Sequence, residues 1–390
     1  MRPKVLVTIS HYHPGYKAGG PIRSIGNLVD NLSAAFDFGI LTSDRDLGES
    51  TPYAGIEADR WLRRDTHLVN YLSPANLSAR RMRAVINQSD HDLIYLNSLF
   101  SRRFSILPLV LRRLGLLRRC PVVIAPRGEF SAGALAIRKP RKMAFIAAAK
   151  ASGFFDGLVW QASTELERRD IELVLGSHAK EIRVAGNLPT VAAEEVRVPP
   201  RATGEALRIV FLSRISEKKN LDYALEALKA VRSPVVFDIY GPREDQRYAR
   251  RCEDIARALP PHIEVRWHGA IPPDAVAPVL AAHDLLFFPT RGENYGQIIA
   301  EALSVGTPVL ISDRTPWRGL GASGVGHDLP LEDRAAFAAR IDEAAARSTA
   351  DAMRQRLAVR AFFGAHAERR REDVERQRAL FVRALELGGR

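Results

Sequence analysis

The stretch LLFFPTRGENYGQIIAEALSVGTPVLISD (285–313) reads as a strand, a loop, a helix and a second strand. LLFFPT (285–290) is a short apolar run, the mark of a buried strand. RGENYG is then the loop at its carboxyl end. Apolar residues at helical spacing begin around Gly296–Gln297, and PVLISD (308–313) is apolar again. Two strands joined through a helix lie parallel, and a parallel sheet needs helices on its faces.

The same rhythm extends outward on both sides. Upstream, LRIVFLS (207–213), VVFDIYG (235–241) and IEVRWHG (263–269) read as strands, with a helix over 221–231. Further upstream, 4–10, 38–43, 92–98, 121–128 and 157–163 read as strands, with a helix over 21–36. Between the two sets, LPTVAAEEVRVPPRATGEA (188–206) has no period. The expected organisation is therefore two doubly wound, Rossmann-like α/β domains. One domain is expected at 1–190, a linker at 191–206 and a second domain at 207–365. A charged amphipathic helix over 366–390 is expected to pack toward the first domain. Ligands of such sheets bind beyond the carboxyl ends of the strands, and a cleft between the domains is the default site.

Length and composition agree with this organisation. The chain has 390 residues, 46% hydrophobic, enough for two cores. Two cysteines far apart, Cys120 and Cys252, argue against a disulfide scaffold. No apolar run of about 20 residues is present, and the first one is too short for a signal peptide, so a cytoplasmic protein is expected. The formal net charge is +12. Residues 101–150 hold twelve Lys/Arg against one acid, Glu129. That segment calls for an anionic partner, and its alternation of basic pairs with leucines over 102–120 reads as a membrane-surface segment.

The chemistry-bearing residues cluster beyond strand ends. Arg214, Lys218 and Lys219 follow the strand 207–213 and precede a helix, a setting suited to a diphosphate. Glu293 and Glu301 bracket Gly296 at the start of the next helix, where free N–H groups attract anions while carboxylates accept from hydroxyls. A nucleotide sugar fits this set.

In order along the chain, AGG (18–20), AGN (185–187), SRISEKKNLDYALEAL (213–228), WHGAIPPDAV (267–276) and PTRGENYGQIIAEALSVGTPVLISD (289–313) resemble the motifs of the family-4 retaining glycosyltransferases, which have the GT-B fold. APRGEF (125–130) and TPWRGL (315–320) resemble a Pro-Arg-Gly subset of that family. The resemblance implies a metal-independent hexosyltransferase that uses a UDP- or GDP-sugar and retains anomeric configuration. It implies that Arg214 and Lys219 hold the donor diphosphate, that Glu301 binds the ribose and that Glu293 sits by the sugar. Asn294, Tyr295, Gly296 and Gln297 would cap sugar and phosphate. Gly19 and Gly20 would let backbone approach the phosphate, and Gly241 and Ile271 would line the base pocket. Arg127 stands where many members carry a histidine, and either contacts the sugar or is a structural arginine at a strand end.

His11 and His13 end strand one and are candidates for acceptor contact. Asp44-Arg45-Asp46 matches a metal-binding Asp-x-Asp but reads as a solvated loop, and no metal or other cofactor is expected. The expected partners are the nucleotide sugar, a glycan or lipid-linked acceptor in lipopolysaccharide, capsule or exopolysaccharide synthesis, and an anionic inner-membrane surface. Nucleic acid is not expected, because no aromatic or helix-turn-helix signature accompanies the basic segment. A GT-B phosphorylase or a nucleotide-sugar epimerase shares the fold and stays open. An NAD-dependent enzyme does not, since HPGYKAGGPIRS lacks G-x-G-x-x-G.

Overall fold

The computed structural model describes residues 2–136, 139–188, 201–202, 204–293, 295–365 and 367–388. The chain divides into two units, Met1–Leu188 with Arg370–Arg390, and Pro189–Arg369.

The first unit holds eight strands: β1 (Lys4–Thr8), β2 (Asp37–Ser43), β3 (Trp61–Arg64), β4 (His67–Leu72), β5 (Leu93–Asn97), β6 (Val122–Ala125), β7 (Leu158–Ala162) and β8 (Glu181–Val184). Their order is β3-β4-β2-β1-β5-β6-β7-β8. All neighbours are parallel except β3 and β4. β5, β6 and β7 are buried at every position, as expected of strands covered on both faces. Successive side chains feed opposite layers. Ile94 and Leu96 join one core with Ile124 and Trp160, while Leu93 and Tyr95 join another with Val7 and Val123.

That second core is completed by the helix Ala367–Gly388. Its Phe381 is fully buried, with its ring 5.4 Å from Phe36 and 5.3 Å from Tyr95. One turn earlier, the side-chain oxygen of Gln377 accepts from Gln161 at 2.8 Å.

The second unit holds β9 (Leu207–Leu212), β10 (Val235–Tyr240), β11 (Ile263–Gly269), β12 (Leu285–Phe288), β13 (Val309–Ser312) and β14 (Gly326–Leu329). The order β11-β10-β9-β12-β13-β14 is parallel throughout. Chain progression therefore reverses between β9 and β12, the point at which Rossmann-type sheets bind ligands.

The sequence reading missed β3, β4, β8 and β14. β3 and β8 are edge strands with little buried surface, so WLRR and EIRV lack the apolar run of a central strand. GHDL of β14 is likewise mostly polar. The basic stretch 102–120 is helical only over Arg102–Ile106, as a π turn, and Leu107–Arg113. Most of the stretch 191–206 lies outside the described residues. Arg201, at its end, is buried, donates to Glu205 O at 2.7 Å and to Ala345 O at 3.1 Å, and is therefore part of the second unit's packing.

Phe381→Ala empties a closed aromatic cluster, a change that costs about 3–5 kcal/mol in tightly packed cores. Thermal unfolding of this variant is expected to show a midpoint lowered by on the order of 10 °C.

Candidate active site

β9 and β12 end side by side, and their following loops are bonded to each other. Asn220 stands in the left-handed region at φ 62, which asparagine tolerates better than most residues. From there its Nδ2 donates to Pro289 O at 2.9 Å, and its Oδ1 accepts from Arg291 Nε at 2.9 Å. The Arg291 N–H donates to Lys218 O at 2.9 Å. The Thr290 hydroxyl lies 3.1 Å from Lys218 O and 3.0 Å from Glu293 Oε1, so one proton serves two acceptors.

This frame brings Lys219 Nζ to 2.5 Å from Glu293 Oε1, with each side chain only 13% exposed. Burial opposes ionisation of Glu293. Lys219 and Lys218, with hydrogen bonds from Lys219 and Thr290, outweigh it and hold the carboxyl below the usual carboxylate range. The Glu293 N–H donates to Arg314 O at 3.0 Å, and Trp317 Nε1 donates to Tyr295 O at 2.6 Å. Arg314 and Trp317 thus fix both ends of the loop. Gly296, at φ 78, opens the helix Gln297–Ser304, and a Cβ there would stand 2.8 Å from Ile299 Cδ1. Gln297 is the first residue of that helix and Glu301 the fifth, both half-buried. Asn294 lies outside the described residues.

Arg214 is reached from the neighbouring loop. Its Nη1 donates to Glu244 Oε1 at 2.8 Å, and the side chain is one-third exposed. Gly241 has φ 141, and a Cβ there would fall 1.8 Å from Ser213 O, so the loops after β9 and β10 touch backbone to backbone. The Gly241 N–H donates to Gly269 O at 2.7 Å. Below these glycines the β10–β11 register shifts by one residue. There the His268 ring stacks on Tyr240 at 4.3 Å and bonds to Asp238, which also meets His283 Nε2 at 3.1 Å. Burial opposes the Asp238 charge, but hydrogen bonds from His283 and His268 hold its carboxyl below the usual range. Ile271 is half-buried and packs on the second unit's core.

The first unit assembles its own group. Gly19, at φ 69, starts the helix Gly20–Leu32, and a Cβ at Gly19 or Gly20 would meet no atom within 4 Å. His11 Nδ1 lies 3.0 Å from Arg45 O. His13 faces that helix, its Nε2 3.1 Å from where a Gly26 Cβ would stand, and burial pushes its pKa down. The expected solvated loop at Asp44–Asp46 is corrected. Both acids are buried, and Asp46 accepts the N–H groups of Tyr16 at 2.8 Å and Lys17 at 3.0 Å. These two bonds hold the backbone entering the Gly19 turn. Among the described residues no three His, Cys, Asp or Glu side chains group as metal ligands.

Arg127 has φ 56, and its guanidinium is engaged on three sides. It donates to Asn97 at 2.8 Å, to the Tyr95 hydroxyl at 2.7 Å and to Asn187. Glu167 accepts the Gly128 N–H at 2.5 Å. Glu129 accepts from Ser98 and from the Leu99 and Phe100 N–H groups. Burial pushes the Glu129 carboxyl up.

The sequence reading missed Asn220, Glu244, Thr290, Arg291 and Trp317. Only Asn220 carried a signal, as an asparagine directly before a helix. The others act through contacts between loops distant in sequence.

Comparison with known proteins places this geometry in context. Residues 206–347 match the family model of Glycosyl transferases group 1. The chain is 31% identical over 216 residues to a phosphatidyl-myo-inositol mannosyltransferase of Mycobacterium leprae, a match covering 54% of each protein. It thus aligns with about half the length of that relative. Sucrose-phosphate synthase from Thermosynechococcus elongatus superposes with a TM-score of 0.67 at 18% identity, covering 93% of this chain and 95% of that one. WaaG, a glycosyltransferase involved in lipopolysaccharide biosynthesis, superposes with a TM-score of 0.62 at 13% identity, covering 92% and 95%. The fold is that of GT-B glycosyltransferases, two parallel-sheet, Rossmann-like units.

Two outcomes test this geometry. Gly241→Ala is expected to destabilise the second unit by at least about 2 kcal/mol, since backbone must move to admit the Cβ. Circular-dichroism melting measures it. The Lys219–Glu293 pair stabilises the fold above the ordinary glutamate value near 4.3, and that stability is lost as pH falls through the lower folded-state value. Glu293→Gln is therefore expected to melt below wild type at pH 7, with the gap closing in acid below about pH 4.

Proposed function

We propose that this protein is a retaining hexosyltransferase that moves a sugar from a UDP- or GDP-sugar to a glycan or lipid-linked acceptor in cell-surface polysaccharide synthesis. The observation that carries this reading is the Lys219–Glu293 pair at the β9/β12 reversal, beside Arg214 and the Gly296 helix start. It lies within the segment that matches Glycosyl transferases group 1.

In this reading the two cations are held by carboxylates until the donor arrives. The diphosphate takes over Lys219 and Arg214, and Glu293, kept ionised, turns to accept sugar hydroxyls. Glu301 receives the ribose. The N–H groups at Gly296 and Gln297 face the phosphate, where the helix start favours negative charge. As the glycosidic bond breaks, charge builds on the leaving diphosphate, and fixed cations stabilise it without reorganising. A phosphate oxygen on the same face takes the acceptor's proton, so no separate base is required and configuration is retained. Gly241 and Ile271 line the base end. Gly19, Gly20 and Arg127 are assigned to the donor, and His11 and His13 to the acceptor. No metal takes part.

The acceptor side is read from the first unit's surface. Arg102, Arg103 and Arg113 are exposed, with Val110, Leu114 and Met143 as apolar tips, Leu114 being 65% exposed. Such a surface suits an anionic leaflet, where each cation contributes about 1 kcal/mol. Arg138 of the same segment lies outside the described residues. Among the described residues no helix is long and apolar enough to cross a membrane. The relative from Mycobacterium leprae is named for transfer to phosphatidyl-myo-inositol, which supports a lipid-linked acceptor.

Arg214→Ala and Lys219→Ala are each expected to lower turnover by about 100- to 1,000-fold. Near wild-type transfer by both variants refutes the assignment. A thermal-shift screen of nucleotides and nucleotide sugars identifies the donor, because a bound ligand raises the melting point with its occupancy. Flotation with anionic liposomes is expected to carry the protein at low salt and release it at high salt.

A further inference from the structure

We propose that the first unit carries a second saccharide-binding site, at the amino-terminal ends of its strands. A cavity of about 530 Å3 lies there, within the range of small-ligand pockets. Its walls come from the starts of β1, β2 and β4, from Trp61 and Arg63 of the antiparallel β3, and from the end of the helix Ala79–Gln88. His11, Gly19 and Gly20 follow β1, at the opposite end of the same sheet. The site is thus separate from the residues named for transfer, and it does not rest on the transfer reading.

Three features define what the cavity takes. The first is an apolar wall. The Trp61 indole packs over Gly39, with ring atoms 3.4 Å from where a Cβ would stand, and Leu68 beside it is 42% exposed. The second is a buried acceptor. His91 is 2% exposed, and its Nδ1 lies 2.8 Å from the Ser89 carbonyl oxygen. A carbonyl cannot donate, so Nδ1 carries the proton and Nε2 presents a lone pair. That Nε2 is buried and has no partner among the described residues. Burial favours the neutral ring, so the lone pair persists at neutral pH. An unmet buried acceptor calls for an explanation, and a donor group on a ligand supplies one. The third feature is a rim of two carboxylates. Asp37 is paired with Arg2 at 2.6 Å and Asp90 with Lys4, whose hydrogen bond holds the Asp90 carboxyl below its usual range.

A ligand that satisfies all three has one apolar face and several hydroxyl donors. A pyranose ring has both. Its C–H face lies on the indole, and neighbouring hydroxyls donate to the carboxylates and to His91 Nε2. An acyl chain would leave the acids and the histidine unmet, and a simple anion has no donor for His91 Nε2 and no face for the Trp61 wall. The site would hold a sugar unit of a glycan away from the transfer end.

The test uses the full chain with methyl glycosides of glucose, mannose and galactose, and with N-acetylglucosamine, by saturation-transfer NMR and calorimetry without nucleotide. Binding of at least one probe is expected. Trp61→Ala is expected to weaken it at least tenfold. Thr66→Trp, at an exposed turn lining the cavity, is expected to abolish it while keeping the wild-type melting point. Lys219→Ala is expected to leave it unchanged, which separates this site from the donor site. No binding of any probe at tens of millimolar overturns the proposal. So does binding that survives Thr66→Trp, or binding that is lost in Lys219→Ala.

Discussion

A carboxylate and an ammonium 2.5 Å apart, each almost shut off from water, set the terms for the second unit. Taking both charges out of water is costly, and their attraction offsets the cost only if every neighbour is in place. The neighbours supply this. Thr290 adds a donor, Asn220 and Arg291 lock the two loops together, and Arg314 and Trp317 hold the segment that follows. The parallel sheet brings the two loops close, because β9 and β12 are adjacent where the strand order reverses. A pair held this way is also a store of oriented charge. In the proposed function, an incoming diphosphate competes with Glu293 for a cation that is already desolvated and already placed.

The first unit uses its polar groups differently. Arg127, Glu129, Glu167 and Asp46 are each bound by several partners of the unit itself, many of them backbone N–H groups. Such groups stiffen loops. Arg127 bonds to Tyr95, Tyr95 to Gln161 and Gln161 to Gln377, so one chain of hydrogen bonds runs from the Pro-Arg-Gly loop to the C-terminal helix. The aromatic rings around Phe381 close the same contact from the apolar side. The final helix is therefore built into the unit formed by the beginning of the chain.

Much of the fold was legible in the sequence, because strands buried on both faces must be apolar throughout. Central strands such as LLFFPT and VVIA announce themselves that way. Edge strands do not, and WLRR, EIRV and GHDL were missed for that reason. The candidate site was legible where local chemistry is unusual: cations just past a strand end, and glycines around a helix start. It was illegible where function depends on a distant partner. Nothing in the sequence near Arg214 points to Glu244, and nothing near Asp46 shows that its carboxylate is buried under the Tyr16 and Lys17 amides.

By itself the sequence determined the α/β class, the division into two domains and the identity of the strand-end residues. These follow from periodicity and local composition, which act over a few residues. Only the tertiary structure decided which charges meet. It paired Lys219 with Glu293 across 74 positions, turned Arg127 inward onto Tyr95, and opened a cavity over Trp61 and His91. Pairings of this kind depend on strand order and loop register, and those are set by packing between segments far apart in the chain.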